Sequence, residues 1–517
     1  MTLTEETEKT MTRRQARVKP KGKHAKAAPE VVASEAAPEK KKGSTLARIP
    51  VIKKFVYTGP PEGGSDDEGF AFEWEPWTEE GARRRVKSGK AKRGQYAPYH
   101  RGAPSTTKQA RVLTSALVAQ PTGHRGVPNG RDVMSRTVIS HDPFQAYDEG
   151  DISSPIVIVL GSVGAGKSSF TKTVGVLRPL ALRRRRAVVF DRKDQAGEGE
   201  YSMVCRRYGS EPIKFALDGT GSVVNILDPT ITDAGGSKEQ LRLLKAVASI
   251  AGHGEPLGDW EDKALRSAFA ATMEKFEGVR TPTLADMVLF LGDRTPLGAA
   301  AEDLSSDALE RLHQAGLSMR WRFDSLLDEY SGLFDGDTSK SVDLSSKLTV
   351  FDISQLPSEG PALPVVQGIT NQWLAGRLRK DRGWYTNVIN EEAWSVLVGP
   401  NAAVEKEKVK LSRGLGVSFW YVFHKPGDIP ADSPGMAVIQ EAQSVYAYRM
   451  ERPQDAQFCR STFGFDPDAV TLLENLNDGH HLFKRGRAPE AHVEHVRTEF
   501  EKTVTNTDEA MVHGGRS

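Results

Sequence analysis

The densest chemistry in this 517-residue chain lies in PIVIVLGSVGAGKSSFTKTV, which begins at Pro155. Gly161, Gly166, Lys167 and Ser168 match the pattern GxxxxGK[ST], directly after an apolar run and before a helical one. Phosphate binding asks for all of these features. Small residues let backbone N–H groups turn inward on phosphate oxygens, and the start of a helix adds positive potential there. The candidate nucleotide loop is Gly161, Ser162, Val163, Gly164, Ala165, Gly166, Lys167, Ser168 and Ser169. In such a loop Lys167 reaches the β- and γ-phosphates and the Ser168 hydroxyl ligates Mg²⁺, so ATP and Mg²⁺ are the expected cofactors.

Hydrolysis needs two more groups: a carboxylate beside the metal and another to polarise the attacking water. WYTNVINEEAW supplies Glu391 and Glu392 as adjacent acids at a strand end. Adjacent side chains at a strand end point in different directions, so one acid can face the metal and the other the γ-phosphate. Two registers are open. Either Glu391 serves Mg²⁺ and Glu392 the water, or Asn390 stands in the metal position and Glu391 is catalytic. A solvated acidic turn is the reading without chemistry.

The next stretch, EKEKVKLSRGLGVSFWYVFHKPGDIP, runs from a helix through a basic residue into a strand with a polar end. His424 at that end is a candidate γ-phosphate sensor. Arg413, at a helix C-terminus, is a candidate arginine finger for a neighbouring subunit's nucleotide. Their plain alternatives are a loop-facing histidine and a helix-capping arginine. Asp191 and Lys193, closing AVVFDRK, could line the pocket, although a solvated strand end is the commoner case. RRRR at 183–186 reads as a solvated turn, and HVEH at 492–495 as surface rather than a metal pair.

Strands must hold these groups. The expected ones are IVIVL (156–160), AVVFD (187–191), KLTVFDI (347–353), NVIN (387–390), VSFWYVF (417–423), SVYAYRM (444–450) and HHLFKRG (480–486), mostly separated by helical patterns. Strand signals vanish between about 237 and 330, where three long stretches carry apolar residues at helical spacing; a helical insertion is expected there. The fold class is therefore α/β, built around a P-loop nucleotide site. The expected organisation is a basic arm over 1–48, a small irregular region over 49–150, the motor domain over 151–500 and a tail over 501–517.

Residues 1–50 hold twelve Lys or Arg against six Glu and no aromatic residue, a composition that cannot bury a core and reads as a disordered arm. With GARRRVKSGKAKRG at 81–94, that arm could grip DNA phosphates. Overall the formal net charge is only +2. Two widely spaced cysteines, Cys205 and Cys459, exclude a disulfide framework or structural zinc site and fit a reducing cytoplasm. No apolar run reaches the roughly 20 residues of a spanning helix, so a cytoplasmic protein, at most peripheral at the inner face of the membrane, is expected.

VLGSVGAGKSSF, VVFDRKDQAGEGEYSMVCRRYG, GSVVNILDP, GLFDGDTS with LTVFDIS, NEEAWSVL and RGLGVSFWYVFHKPGDI, in that order, resemble the TraC-type ATPases of conjugation and type IV secretion, within the HerA–FtsK group of ring ATPases. The resemblance runs from about 151 to 500. That family usually reads Asp-Glu-Ala-Trp at the acidic strand. Aligning Ala393 and Trp394 puts Glu391 at the Asp position and Glu392 at the catalytic Glu, which favours the first register. Arg413 falls at the family's finger arginine, and His424 replaces its usual Gln. The resemblance implies a RecA-like P-loop NTPase core with a mostly parallel sheet, ATP hydrolysis, a homohexamer and membrane-bound channel components as partners. A DNA translocase of the FtsK or coupling-protein kind, or a nucleotide-gated scaffold without turnover, is the alternative.

Overall fold

A strand covered on both faces reads as a continuous apolar run with no polar alternation. Ile156–Leu160 is such a strand: every residue of it is fully buried. In the computed structural model, which describes residues 125–231, 236–294, 304–399 and 401–505, it lies inside an eleven-stranded sheet. The arm over 1–48, most of 49–150 and most of the C-terminal tail fall outside the described residues.

The strands are β1 (Val127–Asp132), β2 (Val138–His141), β3 (Ile156–Leu160), β4 (Arg185–Asp191), β5 (Asp194–Gln195), β6 (Glu198–Gly199), β7 (Ile213–Lys214), β8 (Leu348–Asp352), β9 (Tyr385–Asn390), β10 (Val417–Phe423), β11 (Ser444–Tyr448), β12 (His480–Arg485) and β13 (Ala491–Glu494). The large sheet has the order β2-β1-β13-β12-β11-β3-β10-β9-β4-β8-β7. From β11 to β7 every neighbouring pair is parallel. β12, β13, β1 and β2 extend it antiparallel, so the sheet begins upstream of residue 151. β5 and β6 form a separate two-residue hairpin.

Alternate residues of β3 enter two different cores. Ile156, Ile158 and Leu160 join one with the helical block, while Val157 and Val159 join another with Phe170 and Val174 behind the glycine-rich loop. The block expected to be helical holds the helices Ser237–Ala251, Asp259–Phe276, Leu284–Val288 and Ser306–Glu329. Beneath it the helix Ala362–Lys380 is buried along nearly its whole length, which explains why its sequence shows little polar face.

The arginine run differs from its reading as a solvated turn. Arg185 and Arg186 open β4. Arg185 pairs with Asp142 and lies over the rings of Phe144 and Tyr385, and Arg186 is buried with Nε donating to Thr386 Oγ1 at 2.8 Å. Cationic side chains that long can bury their stems where an aromatic face and an acceptor meet the head.

Candidate active site

The phosphate loop leaves the C-terminal end of β3 at Gly161, whose φ is +141°. A Cβ there would stand 2.6 Å from Tyr448 Cβ and 3.0 Å from Arg449 O, so only glycine fits. The turn is held against the end of β11, with Ser162 N–H donating to Arg449 O at 2.8 Å. Gly166, at φ +102°, lies so close to Gly479 that a Cβ would sit 3.3 Å from its Cα. A helix starts at Lys167 and runs through Phe170 into wider π-type turns over Thr171–Leu177. Its first turn therefore faces the loop, as an anion site requires.

Lys167 is buried and folds back over the loop. Its ammonium donates to Gly161 O at 2.6 Å and Ser162 O at 2.7 Å, and lies 2.9 Å from His424 Nδ1. Burial, reinforced by the neighbouring Lys193, brings its pKa down to about 7.

The acids arrive from β9, which is not β3's neighbour; β10 lies between them. The turn after β9 is pinned on both sides, Glu391 N–H to Phe190 O at 3.2 Å and Ala393 N–H to Val422 O at 2.9 Å. Glu391 points inward and is buried. It accepts from the Tyr201 hydroxyl at 2.6 Å, and its other oxygen has no hydrogen-bond partner. Burial pushes its carboxyl above the usual range. Glu392 turns the other way, at a left-handed φ of +51°. Its Oε1 lies 2.9 Å from His424 Nε2 and its Oε2 accepts from Trp394 Nε1 at 3.1 Å. Burial works to raise its pKa, but the His424 contact, Lys193 and the Trp394 N–H outweigh it and hold the carboxyl below its ordinary value.

His424, at the end of β10, thus spans Lys167 and Glu392. The consistent arrangement has Nδ1 accepting from the ammonium and Nε2–H donating to the carboxylate. Lys167, Ser168, Glu391, Glu392 and His424 meet at one strand edge. Arg413 does not join them. It is exposed, four residues before β10 begins, beside Ser153, Ser154 and Gln443. β10 runs parallel to β3, and its seven residues span about 20 Å. Arg413 therefore occupies the opposite edge of the sheet.

No family model and no curated protein matches the sequence. Solved structures do. VirB4 of Thermoanaerobacter pseudethanolicus superposes with a TM-score of 0.58 at 19% identity, over 74% of this chain and 99% of that one. The chain has the VirB4 fold. The plasmid coupling protein TrwB is a more distant match. Its complex with a non-hydrolysable ATP analogue gives a TM-score of 0.47 at 14% identity over 74% and 96% of the two chains. Its complex with ADP and Mg²⁺ gives 0.44 at 16% over 67% and 85%.

Sequence reasoning missed the loop after β4. Asp191 and Lys193 do not form a solvated strand end. Asp191 is fully buried, with Oδ2 accepting from Tyr201 N–H at 2.6 Å, and burial drives its carboxyl well above the usual range. The β5–β6 hairpin folds over the strand end, and Gly199 wedges between Asp191 and Asp352, which lie side by side in register. The hairpin returns Glu200 to Lys193, with Glu200 N–H donating to Lys193 O at 3.1 Å. Lys193 Nζ then donates to Ser168 Oγ at 2.9 Å and lies 3.8 Å from Glu200 and 3.9 Å from each of Glu391 and Glu392. Lys172, on the phosphate-loop helix, pairs with Glu200 at 3.2 Å. The signal that was available is the cluster of charged residues in DRKDQAGEGEY.

HVEH also differs from a plain surface reading. His495 is partly buried, with Nε2 2.8 Å from Thr173 Oγ1 on the phosphate-loop helix, and His480 Nδ1 lies 3.1 Å from His492 Nε2. Among the described residues no group of three or more His, Cys, Asp or Glu forms a ready-made metal cage, and no helix is long and apolar enough to cross a membrane. A hydroxyl, a buried carboxylate with one unpartnered oxygen, and nucleotide phosphates suit Mg²⁺, a hard cation that keeps several waters and rarely takes an all-protein cage.

Proposed function

We propose that this chain is an ATP-hydrolysing motor that powers a conjugative-transfer or type IV secretion apparatus, working as a homohexameric ring against membrane-bound channel components. The observation that carries the ATPase reading is the convergence of Lys167, Ser168, Glu391, Glu392 and His424 at the C-terminal edge of β3, β9 and β10. The process is supported by the motif order resembling TraC-type ATPases together with the VirB4 fold.

In this reading the loop Gly161–Ser169 cradles the phosphates, and Lys167 exchanges its carbonyl contacts for phosphate oxygens. Ser168 and Glu391 would hold Mg²⁺, which would supply positive charge against the developing phosphate charge. Glu392 stays ionised, orients the attacking water and accepts its proton. His424 positions Glu392 against Lys167, so that phosphate contact at the lysine is felt at the base. Arg413, exposed at the far edge, is free to reach a neighbour's nucleotide, which requires a ring.

The first test is direct: the purified chain should hydrolyse ATP in the presence of Mg²⁺, and Lys167→Ala should lose nucleotide binding. A wild-type chain that binds no nucleotide would end the reading. For the process, transfer in a host lacking the gene should be restored by the wild type and not by Glu392→Gln. Hydrolysis stimulated by DNA, with the stimulation lost on removing residues 1–124, would replace a secretion motor with a DNA translocase.

A further inference from the structure

The ammonium of Lys193 sits where a divalent cation would be expected to work. It donates to the Ser168 hydroxyl at 2.9 Å, and its nearest acids are Glu200 Oε2 at 3.8 Å, Glu391 Oε2 at 3.9 Å and Glu392 Oε1 at 3.9 Å. A Mg²⁺ ion bound to the same hydroxyl needs its oxygen ligands at about 2.0–2.1 Å. An ammonium already within hydrogen-bond distance of that oxygen cannot stay there beside it, because two cations would share one acceptor across a few ångströms.

The site also contains a place for the displaced charge. Glu200 Oε1 is held by Lys172 at 3.2 Å, while Glu200 Oε2 is buried without a hydrogen-bond partner and is the oxygen nearest Lys193. A buried carboxylate oxygen left unpaired is costly unless a donor comes to it. The Glu200 N–H bond to Lys193 O keeps both residues in one frame, so a shift of roughly 1 Å brings the ammonium from its present 3.8 Å separation to a normal hydrogen bond.

We propose that Lys193 is a tethered cation that competes with the divalent metal for Ser168 and the Glu391 carboxylate, and that Glu200 receives it on displacement. Lys193 neutralises the acids while metal is away. Metal loading moves it onto Glu200, and the β5–β6 hairpin between the two residues registers the exchange. This rests on the nucleotide-and-metal reading of the site.

The test measures Mn²⁺ affinity by electron paramagnetic resonance, using the full chain saturated with ADP. Lys193→Met should tighten Mn²⁺ about tenfold, equivalent to about 1.4 kcal/mol. Glu200→Gln removes the receiving charge and should weaken Mn²⁺ several-fold. Arg192→Met supplies the control for a general loss of positive charge, since Arg192 donates to Ser354 O and Ser358 Oγ and feels Glu392 only through space; it should change affinity well short of tenfold. Opposite shifts from Lys193 and Glu200 cannot both come from a damaged fold. Unchanged or weaker Mn²⁺ binding in Lys193→Met overturns the competition, as does a tightening that Arg192→Met reproduces. Failure of the wild type to bind ADP instead overturns the nucleotide reading itself.

Discussion

Replacing Glu392 with Gln isolates its charge. The backbone at φ +51° stays the same and the side-chain volume is nearly unchanged. The carboxylate now accepts from two sides, His424 Nε2 at 2.9 Å and Trp394 Nε1 at 3.1 Å. An amide has one oxygen, so it satisfies only one of these donors and turns its NH₂ on the other. The loss of one charge-assisted hydrogen bond bounds the stability cost at about 1.5–3 kcal/mol. The loss of a positioned base removes about 10²–10⁴ in rate, which is about 2.7–5.4 kcal/mol of barrier. Steady-state phosphate release across ATP concentrations should show that fall in kcat, with KM and the affinity for a fluorescent ATP analogue within about threefold of wild type, since Glu392 is assigned to the water rather than to ground-state phosphate. Glu391→Gln should instead raise the Mg²⁺ concentration needed for half-maximal activity. A Glu392→Gln protein with kcat within tenfold of wild type would refute the assignment. If Glu391→Gln carried the large kcat loss at an unchanged Mg²⁺ requirement, the register with Asn390 at the metal would take its place.

Mixing Arg413→Ala subunits into wild-type rings should lower ATPase activity more than in proportion to the fraction added; a linear titration would count against a finger acting between subunits. Tyr201→Phe removes the hydroxyl that donates to buried Glu391, and should cost about 1–3 kcal/mol in denaturant unfolding. The burial that brings Lys167 to about 7 gives a signed pH effect. An unfolded lysine keeps its proton to about pH 10.4, so between about 7 and about 10 the unfolded chain binds more protons and this group's contribution to stability rises with pH. Lys167→Met should flatten that part of the profile. Phosphate at the ammonium would restore the proton, so nucleotide binding at pH 8–9 should take up as much as one proton, read from binding enthalpies in buffers of different ionisation heat. Asn390 buries both amide atoms without a partner. Asn390→Leu should therefore unfold within about 1 kcal/mol of wild type or later, and a large loss of activity at unchanged stability would give Asn390 a place in the chemistry.

The parts of this site that the sequence made legible are local ones. Gly161–Ser169 is a contiguous loop whose pattern states its own conformation, and Glu391–Glu392 directly follow the short strand β9, whose Val388 and Ile389 are buried. Lys193 and Glu200 were not legible, because their meeting depends on a two-residue turn with Ala196 at φ +56° and Gly197 at φ +86°. That is the geometry of a tight hairpin, reached here without the Asn-Gly or Asp-Gly that announces it. Burial of Asp191 then follows from the hairpin covering the strand end, which no property of AVVFD reveals. The order of strands in the sheet was equally hidden, since nothing in VSFWYVF says that it lies between IVIVL and NVIN. That order is what gives His424 its place. Two strand spacings, about 9–10 Å, separate the phosphate-loop strand from the acidic one, which leaves room for a γ-phosphate and a water between them. Among the described strands, the end that lies inside that gap belongs to β10. A residue there must either leave the gap to solvent or span it, and an imidazole with one nitrogen on each partner spans it. In the proposed reaction the same geometry would couple the cation that holds the γ-phosphate to the base that takes the proton from the attacking water.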